Sequence, residues 1–306
     1  MLGGLLKKIR GSEETGSSPS VAGTAEVDRI IKKLEIKAQR LAQQRLLGRY
    51  RSRFKGRGLD FRDFREYFPG DDVRTIDWNV TARTGTPFVK VFDEERELTV
   101  MLVVDVSASG EFGSRSRMKG EVAVEICAVL AFSAIKNNDK VGLIIFSEGV
   151  EKFVPPSKGK RHVLRVLREL LYHRPEGRGT DITAALDYLN HVQRKRAVTF
   201  LVSDFRDAGF EKSLAVAGRR HDMIAVRVGD LREREIPSVG LLELEDPETG
   251  ERLVVNTSDP RFRAGFRESS RSAREELDRT LRRGGGDVID IETGEPYVRP
   301  PIRFFK

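Results

Sequence analysis

The sequence contains only one cysteine, Cys127, so the chain cannot form an intrachain disulfide and does not depend on one. It also lacks any apolar run near the roughly 20 residues that a membrane-spanning helix requires. Its first residues carry a basic patch but neither the apolar core nor the cleavage site of a secretory signal. We therefore expect a cytoplasmic protein with no transmembrane segment. Cys127 lies in the apolar pattern EVAVEICAVLAF, which predicts a core position.

Histidines are also few, and none of the four lies in a recognisable catalytic motif. The phosphate-binding pattern GxxxxGK followed by Ser or Thr is missing, so the chain should not hydrolyse ATP by itself. Because both absences argue against familiar hydrolytic sites, we expect a binding protein rather than an enzyme.

Charged residues of both signs are abundant and nearly balanced. The 55 basic residues exceed the 47 acidic ones to give a net charge of +8, which permits an anionic partner without showing one. Residues 29–65 hold 13 basic residues against 3 acidic ones. Nucleic-acid binding, with Tyr50, Phe54 and Phe61 as stacking partners, is one interpretation of this segment. We favour a solvated or intramolecularly paired surface, because no nucleic-acid reader motif accompanies the charge.

Composition and periodicity divide the chain into four parts. Residues 1–25 are rich in Ser, Gly and Thr, which predicts a disordered tail. Residues 26–97 begin with a helical pattern over 26–47 and continue with short alternating runs, which predicts a helix and a β-rich accessory segment. Residues 98–236 have the pattern of a larger α/β domain. In residues 237–306 we expect a hairpin, a basic helix and a last strand, which complete the small accessory region.

The larger domain alternates buried strands with helices. Continuous apolar runs such as LTVMLVVDV, VGLIIFS and AVTFLVSDF are typical of strands buried on both faces. Helical patterns separate most of them, so we expect an α/β fold with a mostly parallel sheet and helices on both faces. VEKFVPP follows VGLIIFS after only two residues, which predicts an antiparallel hairpin with the proline-containing strand at the edge.

Polar side chains follow several of the predicted strands. They form three groups: Asp105, Ser107 and Ser109; Thr180 in the loop GRGTD; and Ser203 with Asp204. Taken singly, each group also suits a turn or a helix N-cap. In an open α/β sheet, however, ligands bind beyond the carboxyl ends of the strands. If the first and third buried strands are neighbours, two carboxylates and three hydroxyls converge on one point.

This convergent set contains only oxygen donors, which suits a hard divalent cation. Mg²⁺ in octahedral geometry is the cation we expect, with Mn²⁺ and Ca²⁺ as alternatives. The absence of a neighbouring His or Cys argues against zinc. Because two carboxylates leave such a cation partly unneutralised, it would bind a further anionic oxygen, such as an Asp or Glu carboxylate of a partner protein.

The pattern DxSxS, followed by a later Thr and a later Asp, resembles the metal-ion-dependent adhesion site of von Willebrand factor A domains. The resemblance implies a von Willebrand A-like, Rossmann-like fold, and it assigns the metal site to Asp105, Ser107, Ser109, Thr180 and Asp204. Longer segments resemble the bacterial and archaeal family labelled domain of unknown function fifty-eight, among them SRFKGRGLDFRDFREYFPGDDVRTIDWN, KVGLIIFSEGVEKFVPPSKGKRHVLRVL and GLLELEDPETGERLVV. This resemblance extends over residues 26–300.

The resemblance to that family implies partners rather than a reaction. Its members carry an A-like domain, and their genes often lie beside those of MoxR-type AAA+ ATPases. They are thought to be binding adaptors in complex assembly or chaperone-like remodelling. The resemblance thus predicts a metal-dependent adaptor whose partners are a MoxR-type AAA+ ATPase and a protein ligand that bears an acidic residue.

A metal-dependent hydrolase or phosphotransferase, with Asp105 as nucleophile, is the alternative function. The aspartyl-phosphate pattern has a second acid two residues after the nucleophile, whereas this sequence has Ser107 there. No carboxylate is then placed to protonate a leaving group. Ser107 or Ser109 as nucleophile would in turn need a general base, so we favour the adaptor.

A separate polar segment, REYFPGDDVRTIDWN, contains the only tryptophan, Trp78, together with Asp71, Asp72, Arg74 and Asp77. It predicts either a second functional surface or a buried ion-pair network that fixes this segment to the A-like domain. We favour the structural role, with Pro69 and Gly70 forming a turn.

Overall fold

The computed structural model describes residues 60–93, 97–113, 118–245 and 250–295, together with Lys32 and Ile36. The predicted tail over 1–25, most of the predicted helix over 26–47 and most of the basic segment 29–65 lie outside the described residues. The chain divides into two compact units. The smaller unit is Phe54–Glu97, and the larger one combines Met1–Arg53 with Leu98–Lys306.

The smaller unit is built on an antiparallel strand pair, β1 (Asp60–Glu66) with β2 (Phe88–Asp93). The connection between the strands contains a 3-10 turn (Val73–Thr75) and the short helix α1 (Trp78–Thr84). The Asp77 carboxylate caps α1 by accepting hydrogen bonds from two backbone N–H groups of its first turn. Asp77 therefore stabilises the local backbone through these hydrogen bonds.

The ion pairs of the smaller unit are exposed rather than buried. Arg65 makes two hydrogen bonds to Asp71, at 2.7 and 2.6 Å, yet the Arg65 side chain is 46% exposed. Lys90 pairs with Asp77 at 3.0 Å and is 41% exposed. Their partners Asp71 and Asp77 are 21% and 13% exposed, so within the smaller unit the pairs lie at the surface rather than in a fully buried network, with the long basic side chains reaching into water. Trp78, at 66% exposed, is not buried either. That the segment is fixed to the A-like domain stays a prediction.

The larger unit contains the remaining described strands and helices. Its strands are β3 (Thr99–Asp105), β4 (Lys140–Phe146), β5 (Val150–Ser157), β6 (Val198–Ser203), β7 (Asp222–Gly229), β8 (Leu241–Glu245), β9 (Arg252–Asn256) and β10 (Asp287–Glu292). Its helices are α2 (Lys119–Lys136), α3 (Lys160–Tyr172), α4 (Ile182–Val192), α5 (Glu211–Arg220) and α6 (Pro260–Arg283).

Six of these strands form one sheet in the order β10-β7-β6-β3-β4-β5. All neighbours are parallel except β4 and β5, which pair antiparallel at one edge. The predicted mostly parallel sheet and its proline-containing edge hairpin are thus confirmed. Relative to β3, the chain first adds two strands on one side and then three on the other, which is the order of a Rossmann-like sheet. The predicted α/β fold class is confirmed.

Helices cover both faces of this sheet. Met101 and Val103 of β3 face a buried cluster to which α4, α5 and α6 contribute side chains. Val100 and Leu102, which alternate with them, point to the opposite face and are also buried, where α2 contacts β3 and packs on α3. Cys127 of α2 is fully buried, as predicted, and burial raises the pKa of its thiol to about 12.

The C-terminal segment corrects one prediction. We expected the last strand to belong to an accessory region together with the N-terminal segment, but β10 pairs with β7 in the main sheet, where Ile289 and Ile291 are buried. The physical reason is that α6 forms a β-α-β crossover, which returns the chain parallel to β7. Only the hairpin β8–β9, which is antiparallel as predicted, lies outside the main sheet in residues 237–295 that the structure describes.

No helix among the described residues has the length and apolar character required to span a bilayer.

Candidate metal centre

The candidate site lies where the strand order of the sheet reverses. β3 is hydrogen-bonded to β4 on one side and to β6 on the other, with Val104 opposite Val202. The first and third buried strands are thus neighbours, which is the condition under which the polar groups converge. Because the connections leave β3 and β6 in opposite directions, a crevice opens beyond their carboxyl ends, where ligands of such sheets bind.

Asp105 ends β3 and is held by the strand next to it. The Ser203 hydroxyl, at the end of β6, donates to Asp105 Oδ2 at 2.6 Å. The backbone N–H of Ser107 donates to Asp105 Oδ1 at 2.9 Å. Both carboxylate oxygens are thus oriented, and each keeps a further lone pair for a ligand. Ser203 was part of the polar pattern in the sequence, but its role as the support of Asp105 was not predicted.

Ser107 and Ser109 lie in a tight turn just after β3. A 3-10 turn over Ala108–Glu111 brings their Oγ atoms to 3.0 Å from each other, and both residues are at least 95% buried. The N–H of Ala108 donates to the carbonyl oxygen of Arg178 at 3.0 Å. This bond ties the turn to the loop that carries Thr180, so two of the three predicted groups are joined through the backbone.

Thr180 precedes α4 in a loop whose backbone N–H groups are hydrogen-bonded to acidic side chains. The N–H groups of Arg178 and Gly179 both donate to Glu148 Oε1 at 3.0 Å. Asp181 is the N-cap of α4 and accepts from Ala184 N–H at 2.8 Å, which is the structural role that its position suggests. Thr180 lines the same cavity as Ser109 and Asp204.

Glu151, which lies on β5, is also hydrogen-bonded to the backbone of this loop. It accepts hydrogen bonds from the Ser147 hydroxyl, from the His173 ring and from the N–H groups of Glu176 and Gly177. These bonds hold the pKa of the Glu151 carboxyl below its usual range against the opposing effect of burial. The cluster is not a catalytic triad, because the carboxylate, rather than the imidazole, contacts the hydroxyl.

Replacing Glu151 with glutamine should therefore lower the free energy of unfolding by about 2 kcal/mol, because an amide cannot accept from all four donors. Urea unfolding measures this change. Glu169→Gln is the matched control, since Glu169 pairs with Lys152 at 3.2 Å on the surface, and it should change stability by less than about 0.5 kcal/mol. Equal losses in both variants would contradict the role of Glu151.

Asp204 has a partner that the sequence did not suggest. Lys119, the first residue of α2, places its Nζ 2.6 Å from Asp204 Oδ2 and 2.7 Å from Glu233 Oε1. The Lys119 side chain is only 4% exposed. Arg206 adds a second positive charge, with its Nη2 3.3 Å from Glu233 Oε1. A lysine at the start of a largely apolar helix was the signal that sequence reasoning could have used.

The two carboxylates of the site therefore differ in their electrostatics. Burial, with a smaller contribution from the charge of Asp204, raises the pKa of Asp105 to about 6 against the opposing effect of the hydrogen bonds from Ser203 and Ser107. Asp204 is compensated by the ammonium of Lys119. Asp105 is thus a partly buried carboxylate whose charged form lacks a directly bonded cation among the described residues.

An oxygen-donor cation site is consistent with these residues. Asp105, with its uncompensated charge, and the paired hydroxyls of Ser107 and Ser109 supply hard oxygen donors, which suit Mg²⁺ or Mn²⁺. Within the described parts of the chain, no three His, Cys, Asp or Glu side chains group as a metal cluster. Hydroxyls would consequently have to complete the ligand set, as the DxSxS pattern predicts.

The site opens into a cavity of about 1890 Å³. Ser109, Thr180 and Asp204 line one part of it, while side chains of the hairpin β8–β9 and of α6, such as Leu253 and Phe266, line another. Pockets for small molecules are usually about 300–1,000 Å³. The cavity exceeds this range, and its lining mixes apolar with charged side chains.

Comparison with known proteins identifies the family. A family model described as "Protein of unknown function DUF58" matches residues 63–276. The chain belongs to this family. Its similarity to the uncharacterized protein Rv1480 of Mycobacterium tuberculosis (strain ATCC 25618 / H37Rv) is 32% identity over 278 residues, or 90% of this chain and 87% of that protein. The predicted family is confirmed.

Solved structures with a similar arrangement include two that align with about two thirds of this DUF58 chain. The conserved hypothetical protein BatB from Bacteroides thetaiotaomicron is 15% identical, with a TM-score of 0.46, over 67% of this chain and 96% of its own. The VWA domain of SpRpn10 is 12% identical, with a TM-score of 0.38, over 68% of this chain and 95% of its own.

Proposed function

We propose that the protein is a binding module that captures an acidic segment of a partner protein through a divalent cation. The observation that carries the proposal is Asp105, a partly buried carboxylate at the reversal of strand order, oriented by Ser203 and followed by two buried hydroxyls. A carboxylate that is costly to ionise in the apo protein is a natural ligand for a cation, because the cation supplies the missing charge.

In this proposal the cation, Mg²⁺ or alternatively Mn²⁺ or Ca²⁺, is held by Asp105, Ser107 and Ser109, with Thr180 and Asp204 as further ligands, directly or through water. When bound, the cation supplies Lewis acidity toward an incoming carboxylate. The chain's own residues orient the ligand oxygens and bury them. The cavity that continues to the hairpin β8–β9 gives room for the rest of the partner segment.

We further propose that the protein acts as an adaptor for a MoxR-type AAA+ ATPase in complex assembly or chaperone-like remodelling. The family resemblance supports this partner, and the size of the cavity supports a protein ligand. Hydrolase or phosphotransferase activity has less support. Ser107 and Ser109 are hydrogen-bonded to each other, and the histidine ring of the nearby Ser147 cluster contacts Glu151 rather than a hydroxyl.

Affinity capture with the AAA+ ATPase as prey, in Mg²⁺ and in chelator, tests the proposal. The wild-type chain should retain the ATPase only with Mg²⁺, and Asp105→Asn should lose most of that capture, because its neutral amide is a poor ligand for a hard cation. Asp222→Asn is the matched control. Asp222 begins β7 at the opposite end of the strands and pairs with Arg196 on the surface. Capture that is insensitive to chelator and to Asp105→Asn would refute the metal-dependent function.

A further inference from the structure

Lys119 lies at the candidate cation site and bridges two carboxylates there. Its Nζ is 2.6 Å from Asp204 Oδ2 and 2.7 Å from Glu233 Oε1, and the side chain is almost completely buried. The ring of Phe112 lies 5.7 Å from the same ammonium. Burying a lysine is costly unless its charge is paired, so this ammonium is placed specifically against the carboxylate that the site would offer to a cation.

A purely structural role does not account for the position of Lys119. Glu233 is already fixed by a capping box, in which its Oε2 accepts from Asp230 N–H at 3.0 Å. Asp230 is in turn held by the Thr293 hydroxyl after β10. Asp204 Oδ1 accepts from Arg206 N–H at 3.2 Å, which fixes its own turn. The backbone around both carboxylates is therefore held without the lysine, and what Lys119 adds is positive charge.

We propose that Lys119 is an internal counter-ion that competes with the divalent cation for Asp204. The inference rests on the proposed metal-dependent function and names the residue that regulates its affinity. An ammonium and a divalent cation on the same carboxylate repel each other. Direct ligation of the cation by Asp204 therefore requires the Lys119–Asp204 bond to break, and even ligation through water is opposed by the ammonium, so the cation binds more weakly than the oxygen ligands alone would allow.

Glu233 can remain the ion-pair partner of Lys119 after the lysine has left Asp204. Because Lys119 already contacts Glu233 Oε1, it can leave Asp204 and keep a charged partner within the same buried group. Arg206, which is 56% exposed, approaches the same two carboxylates only at 3.3 and 3.9 Å. The two basic side chains thus carry the same charge near Asp204, but only that of Lys119 lies within hydrogen-bonding distance of the Asp204 carboxylate.

This difference supplies a matched pair of variants. Lys119→Met keeps an apolar stem of similar length and removes the ammonium, whereas Arg206→Met removes an equal charge that does not occupy Asp204. Calorimetric titration with Mg²⁺ and with Mn²⁺ measures both in the full chain. We expect Lys119→Met to bind about ten-fold more tightly than wild type, and Arg206→Met to gain no more than about two-fold, because screened charges at the surface interact weakly.

Lys119→Met also leaves Asp204 and Glu233 without their main counter-charge, so its melting temperature in chelator should fall. Mg²⁺ should then raise that temperature by more than it does for wild type, since a ligand that binds only the folded state stabilises it. This measurement gives the same answer if the variant is too unstable for calorimetry. Unchanged or weaker Mg²⁺ binding by Lys119→Met, with the wild type still binding, would overturn the competition while leaving the proposed function intact. Absence of binding in both proteins would remove the metal site, and the proposed function with it.

Discussion

Asp105→Asn should make the metal-free protein more stable at pH 8, although it removes a central ligand of the candidate site. Burial raises the pKa of Asp105 to about 6 from the ordinary 3.8, a difference equivalent to roughly 3 kcal/mol. Asparagine avoids the cost of a buried charge. In the wild type, the Ser203 hydroxyl and the Ser107 N–H both donate to the carboxylate. The asparagine side chain would place its own amide N–H against one of these two donors. The net gain should therefore be smaller, about 1–2 kcal/mol.

The pH dependence identifies the cause of that gain. Because the folded pKa lies above the unfolded one, the Asp105 carboxyl favours folding most at low pH and loses this contribution as the pH rises through 6. The advantage of Asp105→Asn should consequently be large at pH 8 and small or reversed near pH 4. Burial lowers the pKa of His221 to about 4, so this group makes the free energy of unfolding rise with pH rather than fall. Wild type and Asp105→Asn both contain His221, so its effect cancels in the difference between them.

Urea unfolding in chelator at pH 8 and at pH 4 measures this difference. Asp187→Asn is the control, since it makes the same change at an exposed aspartate of α4. An advantage of Asp105→Asn that does not change between the two pH values would show that the buried charge is not its source.

Much of this site could be predicted because parallel strands end together. Asp105 and Asp204 follow two continuous apolar runs, and runs of that kind predict central strands of a parallel sheet. Their convergence then required only that the two strands be neighbours, which the pairing of β3 with β6 confirms. The metal ligation itself stays a prediction.

The features that the sequence did not reveal depend on contacts between distant segments. Glu233 lies in a short turn after β7, more than a hundred residues from Lys119, and no periodic pattern links them. The membership of β10 in the main sheet was missed for a similar reason. DVIDIE alternates like a strand with one buried face, and such a pattern fits the edge of a large sheet as well as a small accessory one.

The edge position of β10 depends on a close contact between α5 and the end of α6, and Gly218→Ala should disrupt it. A Cβ on Gly218 would overlap the backbone carbonyl oxygen of Gly284, and one on Gly284 would lie 2.6 Å from Leu214 Cδ2. A carbonyl oxygen cannot rotate away as a side chain can, so the helices must separate. We expect a loss of about 3 kcal/mol or more in the free energy of unfolding.

Gly265→Ala provides the matched control, because the same substitution in the exposed part of α6 meets nothing within 4 Å. It should raise stability by up to about 1 kcal/mol, since alanine favours the helix. Opposite shifts of the urea midpoints would support the close contact, and equal shifts would contradict it.

If it folds, the Gly218→Ala variant should also have a Mg²⁺ affinity that differs from that of wild type. α6 leads into β10, and Thr293 just beyond β10 holds Asp230, whose N–H positions the Glu233 carboxylate against Lys119. These hydrogen bonds connect the contact between α5 and α6 to the carboxylate that pairs with Lys119.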